Sequence, residues 1–168
     1  MLTTHKISAD QFYDSFELIA VHSSLDDYAM AYVLNKHLGL RLKRNKNDHQ
    51  IGQGATYPVF GFFDEVSDFE YTLFRNKCMV VGDDSAEGLF KFNAPVQKHY
   101  LVQEKKEVDY LLKINADGDV AVDQIIREIN AIPNIITAYR LNVDLLKSKA
   151  NLIFWECQLK KRPRLLQL

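Results

Sequence analysis

The sequence predicts a single α+β domain built on a mostly antiparallel sheet, with two main helices packed on one face. Three observations carry this reading. The order strand, amphipathic helix, strand occurs twice, from about Phe16 to Arg44 and again from Val108 to Leu141. Between these two β-α-β units stand closely spaced strand-like segments whose short connections favour an antiparallel meander. Each helical pattern also carries its own stop, Gly39 for the first and Pro133 for the second.

In chain order, Phe16–Val21 is a mostly apolar run with β-branched members, which reads as a largely buried strand. Ser23 or Ser24 can cap the helix that follows, and Asp26 and Asp27 favour its positive end. Leu25, Tyr28, Ala29 and Tyr32, then Ala31, Leu34 and Leu38, keep helical spacing. Leu40–Lys43 alternates strictly, so a half-exposed strand returns with its basic residues outward. Asn45–Thr56 is polar, holds Gly52 and Gly54, and reads as a loop. Tyr57–Phe63, Phe69–Phe74 and Cys78–Val81 form the expected meander, broken at Asp64–Asp68 and Asn76, and Gly82–Pro95 reads as irregular. His99–Val102 and Val108–Ile114 are strand-like, and Asn115–Asp119 is a turn leading into a helix. Val122, Ile125, Ile126, Ile129 and Ile132 make its apolar stripe, with Ile125 and Ile129 expected to be almost fully buried. Ile135–Leu141 closes the second unit as a strand. The domain is expected to span residues 1–158, and residues 159–168 to form a basic, loosely ordered tail.

At 168 residues the chain can bury roughly 70% of the surface its unfolded form exposes, so its core needs neither disulfides nor a structural metal. A net charge of −1 creates no global field for nucleic acid, an anionic membrane or an acidic partner. Cys78 and Cys157 are far apart in sequence and read as reduced thiols. The first fourteen residues lack the apolar segment of a signal peptide, and no apolar stretch approaches the ~20 residues of a membrane span, so a cytoplasmic protein is expected.

The run Val102-Gln103-Glu104-Lys105-Lys106-Glu107-Val108-Asp109-Tyr110 resembles the nonapeptide that names the bacterial IPExxxVDY family. Glu104, Val108, Asp109 and Tyr110 match it, Val102 replaces isoleucine, and Gln103 stands where the family has proline. The exchange at 103 restores a backbone N–H donor. His22-Ser23, Tyr28, Ala31-Tyr32 and Leu34-Asn35 are similar to the family's N-terminal pattern, as are Leu146–Lys149 and Asn151–Phe154 to its C-terminal one. The resemblance implies a bacterial, cytoplasmic protein and transfers no catalytic residues.

Candidate binding residues fall in two places. His22, Ser23 and Ser24 lie where a strand gives way to a helix, a position suited to an anion, although capping alone explains these residue types. Glu104, Asp109 and Tyr110 put two acids and a phenol near a buried strand, suited to a partner, a cation or acid–base chemistry; an ion pair with Lys105 or Lys106 is the plainer reading. Asp83-Asp84 fits a capped turn, and Gly52-Gln53-Gly54 lacks the rest of a dinucleotide fingerprint. The five histidines show no HxH or HxxxH spacing, so neither metal nor cofactor is expected. Arg41, Lys43, Arg44, Lys46 and the tail lysines read as solvated faces rather than an RNA footprint.

The sequence therefore points to a non-enzymatic binding or adaptor module for a protein partner or small ligand, with a homodimer as one arrangement open to it. The alternatives are a small enzyme using the acids near Glu104 and Asp109, or an RNA-associated protein using the basic strand and tail. The element order of Val108–Leu141 is similar to half of a ferredoxin-like or ACT-type regulatory domain, an analogy of order alone.

Overall fold

The computed structural model describes residues 16–52, 54–81, 96–116 and 118–153. In chain order the elements are β1 (Phe16–Ser23), α1 (Asp27–Leu38), β2 (Lys43–Arg44), β3 (His49–Ile51), β4 (Ala55–Tyr57), β5 (Val59–Asp64), β6 (Phe69–Arg75), β7 (Lys77–Val81), β8 (Val96–Tyr100), β9 (Tyr110–Asn115), α2 (Val122–Asn130) and β10 (Ile135–Leu141). Short 3₁₀ turns at Gln103–Lys105, Val143–Leu145 and Lys147–Leu152 complete the described residues. The fold is α+β, as expected.

The main sheet has six antiparallel strands in the order β10-β1-β9-β6-β5-β2. β1 lies between β9 and β10, so that Leu18 faces Lys113 on one side and Leu141 on the other. The two strands joined by α2 are thus split by β1, and β1 and β6 in turn flank β9. The four strands β10-β1-β9-β6 thus have the connectivity of interleaved, split β-α-β units.

Both faces of the sheet are covered, which is why β1 reads as an apolar run rather than an alternation. Met30, Ala31 and Leu34 of α1 and Val122 and Ile129 of α2 pack on one face, over Ile19, Val21, Leu73, Tyr110, Leu112 and Ile114. On the other face Leu18, Ala20, Phe74 and Leu111 pack against Ala55 and Tyr57 of the β3–β4 hairpin, Val102, Val108, Leu146 and Leu152. Cys78 and Val80 of β7 add to that second layer.

Several expectations are corrected. The meander breaks at Asn76: β7 does not join β6 but pairs with β8 as a separate ribbon. Part of the expected loop at Asn45–Thr56 is the β3–β4 hairpin, where Gly52 and Gly54 take φ of +60° and +91° that side chains rarely adopt. The first helix is capped by Asp26, whose side chain accepts from the Ala29 N–H at 2.8 Å, because Ser23 is still strand. Gly39 ends that helix at φ +67°, as its position predicts. In α2, Ile129 is fully buried while Ile125 is half-buried. Gly82–Pro95 with Asp83 and Asp84, Cys157 and the 159–168 tail lie outside the described residues.

Candidate functional site

The residues singled out in the sequence divide between the two faces of the sheet. Asp109 and Tyr110 reach the junction of β1 and α1. Asp109 Oδ2 accepts from the Ser23 N–H at 3.1 Å, and the Tyr110 hydroxyl donates to Leu25 O at 2.6 Å, with Asp27 Oδ1 at 3.0 Å. Burial and then the Asp27 carboxylate hold the Tyr110 phenol well above its ordinary range. Ser23 Oγ donates to Asn134 O at 2.8 Å and accepts from the Leu25 N–H. His22 Nε2 lies 3.3 Å from the Tyr139 hydroxyl, with the two rings stacked, and Ser24 is exposed.

Glu104 belongs to the opposite layer. Its carboxylate accepts from the Ser148 N–H at 2.9 Å and the Ser148 hydroxyl at 2.7 Å. Partial burial pushes its pKa up, but these hydrogen bonds outweigh it and leave the carboxyl below its usual range. The backbone donor that Gln103 supplies is used as well, at 3.3 Å from Ser148 Oγ, a bond no proline could make. The nonapeptide therefore ties the β1–α1 junction on one face to the 3₁₀ segment on the other. Glu104 thus does not converge with Asp109 and Tyr110.

Two buried polar residues were missed. Asn76, wholly buried, binds Val102, Lys105 and Val108 through its side chain and so shapes the whole nonapeptide loop. Lys113 sits at a core position of β9, where Nζ donates to Leu152 O at 2.9 Å and lies 4.5 Å from the Phe16 ring centroid. Nearby, His49 Nε2 donates to Asn151 O at 2.9 Å. Both bonds fix the 3₁₀ segment. For Lys113 the sequence signal was a polar residue inside an apolar run, whereas Asn76, between Arg75 and Lys77, carried none.

Among the described residues, α1 presents a surface open to a partner. Tyr28 and Tyr32 are 68% and 64% exposed, although their spacing had placed them in the apolar stripe of the helix. Tyr28 meets Phe60 of β5 edge-on, with centroids 5.3 Å apart, and Arg44 of the outermost strand lies 5.8 Å from the same Phe60 ring. One turn beyond Tyr32, the Asn35 amide grips Leu42, accepting from its N–H at 2.8 Å and donating to its carbonyl at 3.0 Å. Positions 28, 32 and 35 share one side of a helix, so the exposed tyrosines run along the β2 edge of the sheet. Arg41 and Lys43 are exposed on that edge.

Among the described residues no three His, Cys, Asp or Glu side chains come together, and no helix is long and apolar enough to cross a membrane. No family model, curated protein or solved structure matches the chain.

Proposed function

We propose that this chain is a non-enzymatic binding module that docks its partner on the face formed by α1 and β2. The observation that carries the reading is the pair of exposed tyrosines, held one helical turn apart by a rigid helix and bordered by cations. Tyrosine supplies large contact area with few rotatable bonds, and tyrosine and arginine are the residues that interfaces favour. In this reading the nonapeptide that resembles the IPExxxVDY family is a brace: its acids and phenol bind backbone and side chains of the same chain, which suits holding α1 in place more than touching a ligand.

Two double variants of the full chain, purified under mild conditions from its own cells, test this. Tyr28→Ala with Tyr32→Ala is expected to leave stability within about 0.5 kcal/mol, as exposed positions do, and to lose the co-purifying partner. Glu104→Ala with Tyr110→Phe is expected to cost about 2–3 kcal/mol in urea unfolding and to keep the partner. The reverse pattern would return the docking role to Glu104 and Tyr110.

A further inference from the structure

We infer that the ligand of the α1–β2 face is a single-stranded nucleic acid, its bases stacking on Tyr28 and Tyr32 and its phosphates following the basic edge; the inference rests on the docking role proposed above. From Lys36 to Lys46 the chain carries five Lys or Arg and no acidic residue. The fold sets this segment beside the tyrosines, because Asn35 clasps Leu42 and Arg44 lies against the Phe60 ring that Tyr28 touches. Two of the cations are engaged: Arg44 pairs with Asp48, and Arg41 adds to the pull of Ser67 and Val66 that holds the Asp64 carboxyl below its usual range. Lys36, Lys43 and Lys46 are exposed and make no ion pair among the described residues.

Aromatic platforms beside a cationic track are what binding of single strands requires, since every base has a π-face and every linkage a phosphate. The two rings start about 6 Å apart along the helix axis, one residue pair per turn, and both are open to solvent. A duplex hides its base faces and could use the lysines only. An acidic peptide would likewise satisfy the lysines and leave the exposed rings without a matching surface. The net charge of −1 does not oppose a local track, because at physiological salt charges are felt over only about 8 Å.

The test is fluorescence anisotropy of a labelled oligo-uridine dodecamer with the full chain across a salt series. With three phosphates neutralised, log Kobs should fall against log salt with a slope of about −2. Tyr28→Ala and Tyr32→Ala should each weaken binding about 5- to 100-fold and leave the slope unchanged, whereas Lys43→Glu should weaken it and flatten the slope. Absence of binding at the lowest salt, or binding indifferent to both tyrosine variants, overturns the inference. So does equal binding of a duplex of the same length, equal displacement by oligo-glutamate, or occupation of the face by a second copy in sedimentation. If the dodecamer fails while the double tyrosine variant still loses its native partner, only the nucleic-acid assignment falls. If the variant loses nothing either, the docking reading falls with it.

Discussion

At Asn76 one amide side chain answers three backbone groups. Nδ2 donates to Lys105 O at 2.7 Å and Val108 O at 3.1 Å, and Oδ1 accepts from the Val102 N–H at 2.8 Å. Its own N–H and carbonyl bind Asp109 O and the Leu101 N–H, both at 2.8 Å. Asn76→Ala would leave buried groups unpaired, and a loss of about 2–4 kcal/mol in urea unfolding is expected. Two titrating residues contribute to the pH dependence of stability. Burial is the main influence on His49; the hydrogen bond to Asn151 opposes it and the Lys113 charge reinforces it, so the imidazole stays below its ordinary 6.5. The unfolded chain then binds a proton that the folded one refuses, so this contribution is complete above pH 6.5 and is lost as pH falls below it. Burial, with Cys78 nearby, pushes Tyr57 from 10.0 up to about 12, so its contribution is complete below pH 10 and erodes between these values. His49→Gln should flatten the acid limb of a stability–pH profile, and Tyr57→Phe should reduce the alkaline one.

For the elements, α2 offers the cleanest comparison. Ile129 is fully buried and Ile125 only half-buried, so Ile129→Ala should cost about 2–5 kcal/mol and Ile125→Ala clearly less, by denaturant midpoint. Elements with strong local signals were legible in the sequence: the apolar run of β1, the Gly39 stop of α1 and the isoleucine stripe of α2. What escaped was set by distant partners. Nothing near Asn76 in sequence shows that its amide will bind residues 102–108 and send β7 into a separate ribbon with β8. In α1 apolar residues occur around much of the helix, so spacing alone could not tell Met30 and Leu34, which are buried, from Tyr28 and Tyr32, which are not. The candidate site suffered for the same reason: Glu104, Asp109 and Tyr110 are close in sequence, yet the sheet sends their side chains to opposite layers.

In the whole molecule, the strand order makes early sequence depend on late sequence. Glu17 and Arg140, an ion pair across β1 and β10, are 123 positions apart. A sheet dominated by such pairings should refold slowly, on the millisecond-to-second scale, which stopped-flow fluorescence would report. A chain ending at Asn134 lacks β10 and leaves one edge of β1 unpaired, and it is expected to partition into the insoluble fraction on expression.

That same placement of β1 has a meaning on the ribosome. The strand is among the first described segments to emerge, yet Leu18 to Val21, each wholly buried in the finished fold, must wait for both neighbours to be translated. At about 5–20 residues per second the wait lasts roughly 6–25 s. Throughout it, a nascent apolar strand is open to chaperones and to neighbouring chains, so the yield of native protein should depend on how fast the codons for β9 to β10 are read.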